Sequence, residues 1–284
     1  MSFSFDRKKF LKSVVAAAVA ASVLVISACA PATETKADPS ALETVTAGKL
    51  TIGTGNPAYE PWVVGDKPES GEGYEAAVAY AVAEELGFDK EDVVWVRTTF
   101  DEAIAPGVKN FDFNLQQYSI TDDRKKNVDF SSPYYETAQT VITIKGSKAA
   151  SAKTLADLKG LNIGAATGTT SFDAIEQVIK PTNPASAFNS NDDAKAALAA
   201  GQVDAIVVDL PTAFYLTAVE LDGGIIVGQL AGATAGDTFG LVLDKGSKLT
   251  AKVSAAVDAL KANGTLQKLQ DKWLAGYAGA PVLK

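Results

Sequence analysis

The feature that most constrains this chain is an alternation of short β-branched runs with segments of helical spacing, sustained from about residue 50 onward. Residues 50–54 read as a strand. Residues 74–86 read as a helix, because Tyr74, Ala77, Val78, Ala81, Val82 and Leu86 share one face and Gly87 supplies a stop. A strand at 93–96 and a short helix at 100–107 follow, then strands at 140–144 and 161–165. The latter runs through Thr167-Gly168-Thr169-Thr170-Ser171 into a helix from about Phe172. Asn191 or Asp192 caps a helix carrying Ala194, Ala197 and Leu198, which Gly201 ends. Residues 203–208 form a strongly apolar strand that stops at Asp209, and 239–243 a late one. Two helices come last, marked by Val253, Ala256, Val257 and Leu260, then by Leu266, Leu269 and Trp273 after the Asn263-Gly264 break. This βαβ order predicts an α/β fold with mostly parallel sheets flanked by helices. In such folds ligands bind beyond the carboxyl ends of strands.

The chemistry open to the chain is narrow. It has 284 residues, no histidine and one cysteine. A Ser-His-Asp triad, a Cys-His pair, a histidine base and a histidine-held metal are therefore excluded. No cofactor or metal site is expected. The N-terminus carries Arg7, Lys8, Lys9 and Lys12 before an apolar run over 14–26, too short for a membrane span. Ile26-Ser27-Ala28-Cys29 then resembles a bacterial lipobox. This predicts a signal peptide over 1–28 and acylation (palmitate included) of Cys29, which has no second cysteine to bridge. A flexible tether over 29–47 would follow, because its polar and helix-breaking residues bury little surface. The chain's formal net charge is −8, and residues 1–28 hold four basic side chains and one acidic, so the rest of the chain sits near −11. Such a charge disfavours nucleic acid and anionic lipid headgroups as partners.

The most specific stretch is Ser119-Ile120-Thr121-Asp122-Asp123-Arg124, followed by Val128-Asp129-Phe130-Ser131-Ser132-Pro133-Tyr134. It resembles the signature of the polar amino acid substrate-binding proteins of ABC importers, the bacterial extracellular solute-binding proteins of family 3, here in lipoprotein form. Gly73-Tyr74-Glu75, the Thr154 to Gly160 segment, Gly164 to Thr170, Gly201 to Ala205 and Phe239-Gly240 match in order, so the likeness covers roughly 48–275. The resemblance implies a two-lobed periplasmic-binding-protein-like fold of type II. Lobe 1 would comprise 48–138 and 238–284, and lobe 2 the insertion 139–237. Hinges would fall near 136–140 and 237–241. It also implies a monomer that captures a free amino acid, closes over it and delivers it to an importer's permease. The protein would stand on the extracytoplasmic face of the membrane, held there by its lipid anchor.

The same resemblance assigns the site. Arg124 would grip the α-carboxylate with its planar fork; the plain alternative is a surface arginine paired with Asp122 or Asp129. Thr169 and Thr170 would complete the carboxylate clamp at a helix start, a position a helix cap would also occupy. Asp209 would take the α-ammonium, since an acid closing an apolar strand needs a cleft or a partner; Asp204 competes but sits at the strand's start. Ser119 would contact the ligand, and Gln117 would reach its side chain. Tyr59, Phe100 and Trp62 would form an aromatic wall, with ordinary core an equal reading for Trp62. Asn56 stands where many relatives that bind basic amino acids or glutamine carry aspartate, which weakens the case for lysine, arginine or histidine and favours a neutral polar or otherwise uncharged side chain on the ligand. Two rivals remain: a dehydratase of cyclic acids on the same fold, and a sensor component that uses the amino acid only as a cue.

Overall fold

The computed structural model describes residues 39–231, 237–277 and 279–284; the expected leader and Cys29 lie outside the described residues. The chain begins with β1 (Leu50–Gly55), α1 (Tyr74–Glu85), β2 (Val93–Thr98), α2 (Phe100–Ile104), β3 (Phe113–Asn114), β4 (Val128–Phe130) and β5 (Tyr135–Thr137). It continues through β6 (Gln139–Ile144), α3 (Leu155–Leu158), β7 (Ile163–Ala166), α4 (Thr170–Ala174), β8 (Ser186–Phe188), α5 (Asn191–Ala199), β9 (Ala205–Asp209), α6 (Leu210–Tyr215) and β10 (Gly224–Leu230). It closes with β11 (Asp237–Phe239), β12 (Val242–Asp244), α7 (Thr250–Ala262), α8 (Thr265–Leu274) and β13 (Val282–Leu283).

Two sheets organise these elements, ordered β2-β1-β3-β12-β4 and β13-β10-β6-β9-β7-β8. Each is the floor of one lobe of a type II two-lobed fold. Parallel pairs arise where a helix carries the chain back, as between β1 and its neighbours β2 and β3, or β7 and its neighbours β8 and β9. Strands entered directly from the other sheet have no crossover helix to reverse them. Accordingly β6 and β12 run antiparallel to their neighbours, and both sheets are mixed. A separate two-stranded ribbon of β5 and β11 lies at the crossing, with Asp237 opposite Thr137 and Phe239 opposite Tyr135.

Burial follows from the sequence pattern. β1 is buried along its whole length, and its Leu50 and Ile52 pack with Tyr74, Val78 and Val82 of α1 and Val253 and Val257 of α7. In the second lobe β6, β7 and β9 bury Val141, Ile163 and Val207 on one face, and Ile142, Ile206 and Val208 on the other. Strands covered on both faces read as unbroken apolar runs, as 205–208 of β9 does; the strand starts after Asp204 and not at Val203.

The structure moves several expected boundaries. The cap of α5 is Ser190, whose hydroxyl accepts from the Asp193 N–H at 3.1 Å, one residue before the expected Asn191 or Asp192. The late strand at 239–243 is two strands broken at Gly240, where a Cβ would lie 2.9 Å from the Ile120 side chain. The tether over 29–47 ends early, because Leu42 is buried in the lobe 1 core and the Val45 N–H donates to the Asp112 carboxylate at 2.7 Å. The lobe 1 segment 238–284 does not stay in lobe 1. β13 pairs with β10 on the edge of the second sheet, and Leu283 is buried in that lobe's core.

Candidate functional site

The carboxyl ends of β1, β7 and β9 face one cleft of about 230 Å³. Lobe 1 lines it with Asn56, Tyr59, Phe100, Gln117 and Arg124, and lobe 2 with Thr169, Thr170 and Asp209. Eight of the expected residues therefore meet, although they are spread over more than 150 positions of sequence.

Arg124 opens a 3-10 turn, Arg124–Lys126, and is 8 % exposed. Its guanidinium donates to the Ser119 carbonyl at 2.7 Å and, across the cleft, to the Gly168 carbonyl at 2.9 Å. It also lies 5.2 Å from the centre of the Phe100 ring, which is stacked on Tyr118. The acids that could have claimed it are engaged elsewhere: Asp122 with Lys125 at 3.3 Å, Asp129 with Lys245 at 3.0 Å. Burial pulls the Arg124 pKa down, and Tyr118, Asp237, Asp173 and Asp209 oppose that pull. Arg124 is thus a desolvated cation whose partners here are carbonyls, able to take a carboxylate in fork geometry.

The turn after β7 supplies the opposing surface. Thr169 caps α4, accepting from the Phe172 N–H at 3.2 Å while its own hydroxyl donates to the Ala166 carbonyl at 2.6 Å. Gly168 precedes it at φ +71, with Asp101 of α2 close above. The hydroxyls of Thr170 and Ser119 meet at 3.1 Å and so join the lobes beside Arg124.

The other end of the cleft is acidic. Asp209 accepts from Gln139 Nε2 at 3.0 Å, and the same nitrogen donates to Asp237 of β11. Glu75 of α1 lies behind, 2 % exposed, accepting from the Tyr134 hydroxyl and from the Gln117 backbone N–H at 2.8 Å. Burial first, and then Asp237, push the Asp209 carboxyl up to about 8. Burial pushes Glu75 up to about 7 against the hydrogen bonds from Tyr134 and Gln117. A group of acids with so little compensating charge is an environment for a cation.

Two expected residues lie off the cleft surface. Trp62 is fully buried in lobe 1 among Tyr74, Tyr135 and Phe239, so it belongs to the core and not to a ligand wall. Its indole N–H donates to Thr212 of α6 at 3.0 Å, which makes it a contact between lobes at the hinge. Ser119 acts through its carbonyl on Arg124 and its hydroxyl on Thr170. Gln117 does line the cleft, but in the left-handed region at φ +51 and with its side-chain amide nitrogen already donated to Glu75. Its reach to a ligand side chain is correspondingly limited.

Sequence reasoning missed Glu75, Gln116, Gln139, Asp101, Asp237 and the Asn189-Ser190-Asn191 turn. Gln139 had a visible signal, an amide opening an otherwise β-branched buried strand. Glu75 had another, an acid at the start of an apolar helix. Among the described residues no group of three or more acids or cysteines is placed to hold a metal ion. None of the described helices is long and apolar enough to cross a membrane.

Comparison with known proteins fits this geometry. The L-arginine-binding protein of Pseudomonas aeruginosa is 33% identical over 223 residues, covering 76% of this chain and 84% of the relative. The ABC transporter glutamine-binding protein GlnH of Bacillus subtilis is 29% identical, covering 73% and 75%. Among solved structures, an ancestral arginine-binding protein bound to arginine matches with a TM-score of 0.67 at 32% identity, over 80% of this chain and 98% of that one. An ancestral amino acid-binding protein described as a precursor of cyclohexadienyl dehydratase matches equally, with a TM-score of 0.67 at 31% identity over 80% and 95%. With residues 50–276 matched by their family model, this chain belongs to the bacterial extracellular solute-binding proteins, family 3.

Proposed function

We propose that this protein captures a free amino acid between its two lobes and delivers it to the permease of an ABC importer, and that it does so without chemical turnover. One observation carries the reading: Arg124 and Asp209, a desolvated cation and an acid in an acidic group, face the same cleft from different lobes. A zwitterion satisfies both at once. Its carboxylate answers Arg124 and the Thr170 turn, and its ammonium answers Asp209. Because those contacts come from both lobes, the ligand favours the closed form, and closure is the signal an importer would read.

The side chain bound is uncharged and polar in this reading. Among the described residues the charged side chains lining the cleft are Arg124, Asp101 and Asp209, and carboxamides from Asn56, Gln116, Gln117, Asn189 and Asn191 make up much of the rest. Acylation of Cys29 holds the monomer on the extracytoplasmic face of the membrane, with the residues before Leu42 as a tether. Calorimetry against each common amino acid should return one tight ligand, and a tight ligand with a charged side chain would overturn the specificity. Conversion of cyclic acids such as prephenate or arogenate by the purified protein would overturn the non-enzymatic reading. Cys29→Ser should release the protein from membranes, and retention would exclude the anchor.

A further inference from the structure

We propose that Gln139 is the positioning residue of this cleft: its amide aims Asp209 at the ammonium and ties that site to the hinge ribbon through Asp237. The inference rests on the amino acid reading above. Gln139 is 2 % exposed and opens β6 directly after the ribbon strand β5. In the sheet it stands opposite Asp209, the last residue of β9, so the two side chains are cross-strand neighbours.

Its orientation is determined by its partners. In the ionised state that takes an ammonium, the carboxylates of Asp209 and Asp237 can only accept from Nε2, while the Ser171 hydroxyl donates to Oε1 at 2.6 Å. A flipped amide would set oxygen against two carboxylates. Nε2 has two hydrogens and three acceptors in reach, the third being the Thr170 hydroxyl at 3.3 Å. One side chain therefore touches the ammonium site, hinge strand β11 and the start of α4, and Thr170 in turn meets Ser119 of lobe 1.

The groups that act on Asp209 come from several elements: Asp237 of β11, Glu75 of α1, Arg124, and Tyr134 and Tyr135 at the entry to and start of β5. Gln139 is the neutral donor between the two nearest acids. Without it they face each other directly, Asp209 holds its proton to higher pH, and the ammonium loses its partner. With it, an arriving ammonium relieves repulsion felt at Asp237, within the hinge. Charge capture and lobe movement then share one amide.

The test is calorimetry at about pH 6, 7 and 8.5 with the twenty common L-amino acids on wild type. The tightest binder is then titrated into Gln139→Leu, Asp237→Asn and the double variant. Gln139→Leu should weaken binding about tenfold or more at pH 7, and by more at pH 6 than at pH 8.5. Adding Asp237→Asn should recover part of that loss and flatten the pH profile, which a role in packing alone would not produce. If the leucine variant melts below the assay temperature, Gln139→Asn, too short to reach both acids, replaces it with the same outcomes. Wild-type affinity in the single variant, or a double variant no better than the single one, would overturn this assignment alone. A wild type that binds none of the twenty overturns the amino acid reading, and this assignment with it.

Discussion

The two ends of the cleft are built on opposite logic. At the Arg124 end a single cation is held by neutral carbonyls from both lobes, so its partners are satisfied before any ligand arrives. At the Asp209 end two acids share one amide, and a third, Glu75, lies within electrostatic reach. The first end is organised by geometry. The second is held under electrostatic tension that the ligand-free protein relieves by keeping protons and the bound protein by taking a cation. Losses at the carboxylate end should therefore be large and nearly independent of pH, and those at the ammonium end should move with it.

Arg124→Ala should have the largest effect. Truncation leaves a buried carboxylate unpaired and should cost about 2–5 kcal/mol of binding, read by calorimetry. It also removes the cation that joins Ser119 to Gly168. Asp209→Asn should weaken binding somewhat less while raising the melting temperature of the ligand-free protein, because it removes one of the crowded acids. A fall in melting temperature would contradict the tension ascribed to this end.

Next comes pH. The folded protein holds the Asp209 and Glu75 protons up to about 8 and about 7, above the ordinary carboxylate range. A raised acid favours folding at low pH, and that contribution is lost as pH rises toward the folded value. The ligand-free protein should thus lose thermal stability between about pH 5 and 8 from these two groups. Binding requires ionised Asp209, so affinity should weaken as pH falls from 8, and binding at pH 7 should release protons. Titrations in buffers of different ionisation enthalpy would detect that release. The smallest expected effect is at the rim. Tyr59 is pushed up to about 12 by burial and by Asp192, with which its hydroxyl is in contact across the cleft mouth. Tyr59→Phe should cost about 1 kcal/mol or less, as an increase in ligand dissociation rate.

Long elements were legible in the sequence, and short ones were not. β9 announces itself because a strand covered on both faces is apolar along its length, and β1 and the partly exposed β2 through their β-branched and aromatic residues. β3 and β13 have two residues each and exist because a neighbouring strand pairs with them, which no local pattern records. The same division runs through the site. Arg124, Thr170 and Asp209 sit at the ends of elements, in a motif whose order is readable. Glu75, Gln139 and Asp237 matter through register and burial, and in a sequence they look like any other polar residue. Trp62 illustrates the limit from the other side, since an aromatic in an early loop serves a ligand wall or a hydrophobic core equally well until its neighbours are known.

The last strand has a mechanical consequence. The described chain enters against lobe 1, where Leu42 is buried, and finishes on the edge of the lobe 2 sheet, where Leu283 is buried. Its two ends therefore ride on different bodies. A donor fluorophore attached near Glu43 and an acceptor near Lys284 would report the angle between the lobes directly, making the chain its own goniometer.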